Sequence, residues 1–469
     1  MLKLFKNFSY TILSNLGNAL VSTLVVFIIP KLISQHDYGM FQIFLFYFSY
    51  AGLIQFGWLD GIYLRYGGAY YHELDKENLR GQFRLYTLFQ LLVCIGIITC
   101  GMLTFSDLSL NLLILIILGV LVTNEKSFFQ FVLQLSNRIS EFSFSTILSA
   151  VVYALLVAIL LLIGIRNYHF FIWANILGQV FALVYGIWVC KDIFSSHDHV
   201  RYNFFEIKKN ISAGIKISFS SIAGMLILGI VRLGVQTQWS VATFGKVSLV
   251  LSICNLLMLF INAASLVLFP VLRRLNNDNM LKIYRSISNI LMPLMYLMLI
   301  SYYPIELLIN LWLPKYQGTL IFMAVLFPLG LYQGKFEVLS NTFFKVWRME
   351  TYLMIVNLIA LIVSGIFTVL FSLYYKNLNL LILSIIFTLA IRSFCSDWIL
   401  FKKKSIKLFL SFIEETIIVF IFILSNVFFI WYLSFCLYLV LLSVIWFFER
   451  KKIKISFNNI KNVNYETIE

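Results

Sequence analysis

Residues 142–165 read FSFSTILSAVVYALLVAILLLIGI, 24 positions between Glu141 and Arg166 without a charged side chain. At ~1.5 Å rise per residue, a helix of this length crosses the ~30 Å hydrocarbon core of a bilayer. A soluble core helix has no use for such a run, because one of its faces must meet water. Eleven further stretches read the same way. They are Phe8–Ile29, Tyr38–Tyr63, Leu85–Phe105, Leu108–Leu133 and Phe170–Cys190, then Ile211–Val235, Val241–Leu268, Ile287–Leu311, Leu320–Phe344, Tyr352–Leu373 and Leu378–Phe401. The stretch Leu408–Phe448 has basic clusters at both ends, Lys402-Lys403-Lys404 and Arg450-Lys451-Lys452. If both clusters face the same side, the crossings between them are even in number. The length fits two short helices with a turn near Trp431–Ser434. The expected fold is therefore all-α and polytopic, with about fourteen transmembrane helices.

Composition agrees. Of 469 residues, 61% are hydrophobic and 12% charged, with a mean hydropathy of +0.90. Soluble domains carry roughly 25% charge. The net charge of +15 lies in short loops between apolar spans, which reads as membrane topology and not as a nucleic-acid footprint. Almost all Lys and Arg outside the spans fall on one set of loops: the N-terminus, Arg65–Arg84, Arg138, Lys191–Lys209, Arg273–Arg285, Lys345–Arg348, Lys402–Lys407 and the C-terminal tail. The other set holds only Lys31, Arg166, Lys315 and Lys376. The bias puts both termini in the cytoplasm. The opening Met-Leu-Lys-Leu-Phe-Lys lacks a following small-residue cleavage site, so it reads as the start of a retained first helix.

Two segments echo one another about 206 positions apart. Ser14-Asn15-Leu16-Gly17-Asn18 is followed by Asp37-Tyr38-Gly39, and Ser220-Ser221-Ile222-Ala223-Gly224 by Thr243-Phe244-Gly245. The echo predicts two pseudo-symmetric six-helix lobes around a central cleft, with two added helices. The expected division is a lobe over 1–191, a cytoplasmic connector over 192–210, a second lobe over 211–401, two helices over 402–448 and a basic tail over 449–469. A parallel repeat places a substrate path where its halves meet.

Several motifs are missing. Cys94, Cys100, Cys190, Cys254, Cys395 and Cys436 form no CxxC pair, and the five histidines show no HExxH spacing. No Walker A loop occurs. The chain offers no metal site, no cofactor site and no catalytic constellation, and it reads as a transporter. Ionisable groups inside spans are costly and mark function by default. Arg392, Lys335, Arg232, Lys246, Lys216 and Arg65 are the cationic candidates for a substrate cleft. Charge-assisted hydrogen bonds from such side chains suit phosphate oxygens. Arg232 and Lys246 lie near span ends, where snorkelling competes with that role, and Lys216 lies near the cytoplasmic surface. Ser14, Asn18 and Ser22 share one helical face, and Lys216, Ser220 and Gly224 share another. Such faces serve helix packing as readily as a cleft. Asp60, Glu125, Glu337 and Asp397 are candidates for proton or sodium coupling.

The opening Asp37-Tyr38-Gly39 of the second span and its close, Phe56-Gly57-Trp58-Leu59-Asp60-Gly61-Ile62-Tyr63-Leu64-Arg65-Tyr66, carry a family resemblance. Gly224-Met225-Leu226-Ile227-Leu228-Gly229-Ile230-Val231-Arg232 and Phe244-Gly245 add to it. Here the chain resembles the Wzx-type O-antigen and capsule repeat-unit flippases of the multidrug/oligosaccharidyl-lipid/polysaccharide exporter superfamily. The resemblance implies transfer of a polyprenyl-diphosphate-linked oligosaccharide from the inner to the outer leaflet of a bacterial cell membrane by alternating access. It further implies membrane lipids and a polysaccharide polymerase as partners. The alternatives are an ion-coupled multidrug-type antiporter, disfavoured by the cationic bias of the spans, and a membrane-embedded sugar polymerase or glycosyltransferase, disfavoured by the short outer loops.

Overall fold

The computed structural model describes residues 17, 21, 23, 25–104, 110–195, 202–272, 277–406 and 409–461. Among them no strand occurs and helices follow one another throughout. Twelve helices are long and apolar enough to cross a membrane, or thirteen spans if one bent pair counts as a span. Most of the first expected span, with Ser14, Asn18 and Ser22, lies outside the described residues. The polytopic all-α fold expected from the hydropathy pattern is thus present.

The chain divides into two compact units, Met1–Ile222 and Ala223–Glu469. Unit 1 holds α1 (Gln35–Phe48), α2 (Trp58–Tyr66), α3 (Lys76–Thr104), α4 (Leu110–Leu135), α5 (Ile139–Ile163), α6 (Tyr168–Val189) and the first half of α7 (Phe204–Gln238). The division falls inside α7, and the segment expected as a connector is itself helical from Phe204 onward. Gly164, at φ +87°, closes α5 and returns its N–H to the carbonyls of Leu160 and Leu161, a glycine C-cap. Lipid replaces water around these helices, and large apolar side chains stand exposed along them, Leu162 at 88% among them.

The second span differs from the uninterrupted helix expected over Tyr38–Tyr63. It breaks into α1, a 3-10 turn (Ala51–Gln55) and α2, bent by 56°. Phe56 and Gly57 both take left-handed backbone, at φ +48° and +76°. A break in lipid frees backbone carbonyls that must find donors. Asn124 on α4 donates to the carbonyl of Ala51 at 3.0 Å, and Gln90 on α3 donates to that of Ile54 at 3.1 Å. Gln55 and Gln90 complete the network around Asn124 at 2.8 and 2.9 Å. Below it Trp58, Tyr86, Phe128 and Phe129 form an aromatic core.

Unit 2 continues with α8 (Val241–Leu272), α9 (Asn277–Met298), α10 (Tyr302–Trp312), α11 (Leu320–Leu326) and α12 (Leu329–Lys335). A π-turn (Phe336–Asn341) leads into α13 (Thr342–Val346). Then come α14 (Glu350–Thr368), α15 (Leu378–Lys404), α16 (Phe409–Phe428) and α17 (Trp431–Lys461). Leu408–Phe448 therefore does hold two helices, separated at Phe429–Ile430. The expected basic tail begins as a continuation of α17, where Ser456 Oγ accepts from Asn289 Nδ2 of α9 at 3.1 Å. Aromatic side chains dock α16 and α17: Phe422 packs on Tyr302, Phe327 and Tyr438, and the Tyr438 hydroxyl donates to the Tyr296 carbonyl at 2.7 Å.

The echoed motifs begin helices in the same way. Ser34 caps α1, its hydroxyl accepting from the N–H of Asp37, and Ser240 accepts from the N–H of Thr243 at the start of α8.

Candidate functional site

The charge buried in unit 2 is organised by the π-turn that follows α12. One extra residue in the turn loosens the helical ladder, a feature common at functional positions. The freed Glu337 carbonyl is satisfied by the hydroxyls of Ser265 and Thr342, at 3.2 and 2.8 Å. Three successive side chains then find separate environments. Lys335 Nζ lies 2.6 Å from Asp397 Oδ2 and 2.9 Å from Glu415 Oε2. Phe336 lies under the Arg392 guanidinium, whose central carbon is 3.4 Å from the ring centroid. Glu337 accepts from Asn341 Nδ2 at 2.6 Å.

Lys335, Asp397 and Glu415 come from α12, α15 and α16, and their side chains are 2%, 5% and 0% exposed. Ser393 Oγ donates to the second Glu415 oxygen at 3.2 Å. Asp397 Oδ1 and the Tyr284 hydroxyl of α9 are buried with no hydrogen-bond partner among the described residues.

Arg392, also buried, makes a different set of contacts. Its Nε and Nη2 both donate to Asn357 Oδ1 of α14, at 3.0 and 2.7 Å. Gly224 of α7 faces it: a Cβ there would stand 3.5 Å from Nη2. No carboxylate among the described residues lies within ion-pair distance of the guanidinium. The planar fork is thus held by an amide oxygen and an aromatic face, both neutral.

The other candidates lie elsewhere. Arg232 donates to Ser248 Oγ at 3.0 Å and lies over Phe244, between α7 and α8. Lys246 is half-buried on α8. In unit 1, Lys216 is exposed and Ser220 half-buried on α7. Arg65 pairs with Glu206 at 2.6 Å and donates to Asn210 Oδ1 at 2.6 Å. The Arg65 hydrogen bond holds the Glu206 carboxyl below the usual carboxylate range. Asp60 accepts from Ser218 Oγ. Glu125 is buried and accepts from Thr87 Oγ1 at 2.7 Å, its other oxygen unmatched. Four candidates, Lys335, Glu337, Arg392 and Asp397, are thus brought into one region of unit 2.

Glu415, Asn357 and Phe336 were not singled out from sequence. Glu414-Glu415 inside an apolar stretch is a readable signal, whereas one Asn and one Phe among many are not. Among the described residues, no group of three or more His, Cys, Asp and Glu side chains is placed to hold a metal ion.

No protein-family model and no curated protein matches the sequence. Solved structures do match in three dimensions. The chain is similar to the lipid II flippase MurJ in an inward closed conformation, at 16% identity and TM-score 0.62, covering 95% of this chain and 99% of that one. It is similar to an inward-facing multidrug resistance transporter of the MATE family in the MOP superfamily, at 13% and 0.58, covering 87% and 95%. An outward-facing MATE transporter matches at 10% and 0.52, covering 89% and 96%. At these identities the likeness is one of fold: the chain is a polytopic membrane protein built on the architecture of the MATE and MurJ transporters.

Proposed function

We propose that the protein is a flippase. It moves a polyprenyl-diphosphate-linked oligosaccharide from the inner to the outer leaflet of a bacterial cell membrane, by alternating access, for surface polysaccharide assembly. Arg392 is the observation that carries the reading. A guanidinium at membrane depth costs at least ~2.5–3.5 kcal/mol, and here its contacts are an amide oxygen and a ring. Such a group has charge to give to an anion. A diphosphate accepts two parallel N–H···O bonds from the guanidinium fork, while the polyprenyl chain stays in lipid. Arg232 on α7 and Lys246 on α8 are further cations of the same unit that a diphosphate could use in the course of the cycle. The short loops expected on the outer face favour transport over outer-face enzyme chemistry.

In a flippase-deficient strain, Arg392→Ala is expected to abolish surface polysaccharide at unchanged protein level on a blot. Arg392→Lys should recover little, because a point charge does not reproduce bidentate geometry. Lys376→Ala, in a loop, should be near silent. Normal export by Arg392→Ala would sink the reading. A multidrug-type antiporter is the second reading, favoured by Glu125, a buried carboxylate without an ionic partner among the described residues. It requires cationic-drug resistance that Glu125→Gln removes and Arg392→Ala leaves intact.

A further inference from the structure

Glu415 changes the charge count in unit 2. With all three groups ionised, Lys335, Asp397 and Glu415 carry one net negative charge in a nearly sealed interior. An uncompensated buried ion is penalised by several kcal/mol, and two carboxylates crowded on one ammonium do not both ionise readily. The cluster also keeps an acceptor open. Among the described residues Asp397 Oδ1 is buried with no hydrogen-bond partner, and so is the Tyr284 hydroxyl.

Among the described residues, no element packed on the triad supplies a compensating charge. The helix α9 brings Tyr284 and Tyr296, both hydroxyls, while its Lys282 and Arg285 are exposed. From α12 come Tyr332 and Lys335 itself, and the π-turn adds Glu337, bonded to Asn341. Arg392 of α15 lies next to Ser393, but its Nε and Nη2 turn to the neutral Asn357 and it forms no ion pair with Asp397 or Glu415 among the described residues. On α16, Glu414 is a further acid beside Glu415. Segment α11 (Leu320–Leu326) has no ionisable side chain, and α17 offers Tyr438, bonded to the Tyr296 carbonyl. No second cation pairs with Asp397 or Glu415 among the described residues.

We propose that Lys335, Asp397 and Glu415 form a proton-binding site with one exchangeable proton. Uptake adds a proton from water to a carboxylate oxygen, for which Asp397 Oδ1 is free, and takes the cluster from net negative to neutral. The Lys335–Glu415 pair is then one-to-one and ties α16 to α12. Release returns the proton to water and leaves the ammonium divided between two carboxylates. The site exists only because α16, which follows the second set of six expected spans, supplies Glu415. Proton loading therefore bears on how that helix is docked, independently of what the transporter carries.

The test is infrared spectroscopy of the purified full-length protein in detergent, over a pH series from about 5 to about 9. The wild type should show the carbonyl stretch of a protonated carboxylic acid that fades at the alkaline end. Glu125→Gln should leave that band in place, whereas Asp397→Asn and Glu415→Gln should each remove or displace it. Glu415→Asp keeps the charge and should shift the band, so loss through misfolding is told apart from loss of the acid. In an unbuffered titration the wild type should bind about one proton more per chain than Asp397→Asn/Glu415→Gln. A spectrum without the band, a band unchanged across the series, or a band that sodium abolishes at fixed pH would each overturn the proposal.

Discussion

Lys335 is the residue on which the buried charge of unit 2 turns. Removing one member of a buried ionic cluster strands the others, and such losses run to about 3–5 kcal/mol, whereas replacing the whole cluster with neutral groups is far milder. Lys335→Met is therefore expected to lower the melting temperature in detergent sharply, and Lys335→Met/Asp397→Asn/Glu415→Gln to recover most of it, as read by size-exclusion after a heat ramp. A triple variant no more stable than the single one would show that the triad is not an electrostatic unit. Phe336 makes a second residue-level prediction. Its ring fixes the plane of the Arg392 fork and contributes about 0.5–2 kcal/mol as a cation–π contact. Phe336→Leu should thus reduce export several-fold while Phe336→Tyr preserves it. Lys335, Arg392 and Asp397 were legible because charge inside an apolar run is rare. The partners that give them roles were not: Asn357 and Phe336 look like ordinary packing residues until three helices are brought together.

The joint between α2 and α7 shows how a broken element is held. Gly57 and Gly61 pack backbone-to-backbone on α7. A Cβ on Gly61 would overlap the Asn210 carbonyl, and one on Gly214 the Gly57 carbonyl. Around this contact lie the Asp60–Ser218 hydrogen bond and the Arg65–Glu206 pair. Gly61→Ala forces two backbones apart and is expected to destabilise by about 1–3 kcal/mol, against little change for Gly52→Ala, where a Cβ meets nothing within 4 Å. The Arg65–Glu206 contribution has a fixed sign in pH. Glu206 is held below its unfolded value, so the stabilisation is present above the ordinary carboxylate range and is lost as pH falls through the depressed value. Wild type and Glu206→Gln should therefore differ in melting temperature at neutral pH and converge in acid. Hydropathy could not show the break in the second span, because the apolar count runs on through it. The signals were Gly52 and Gly57 within the run, and Asn124 and Gln90 on neighbouring spans, polar groups whose purpose is clear only once carbonyls are freed beside them.

At the scale of the whole chain, span number and loop charge constrain one another: one miscounted crossing would exchange the two faces for every loop beyond it. Each expected span over 110–461 is matched by helix, because a run of 20 apolar residues has few other solutions in lipid, although α7, α9 and α17 run well beyond the apolar stretch and the spans over 287–311 and 320–344 are broken into shorter helices. Loop charge then orients them. Lys345 and Lys403 should face the cytoplasm, and Arg166 and Lys376 the outside. All four side chains are exposed at helix ends or loops, so each accepts a probe without disturbing packing. In a cysteine-free background, Arg166→Cys and Lys376→Cys in intact cells should react with a membrane-impermeant maleimide. Lys345→Cys and Lys403→Cys should react only after permeabilisation. Labelling in the opposite sense at both members of either pair would invert the chain. The Arg392 side chain would then be reached from the other leaflet, and the direction of lipid-linked sugar transfer inferred from it would fall with the topology.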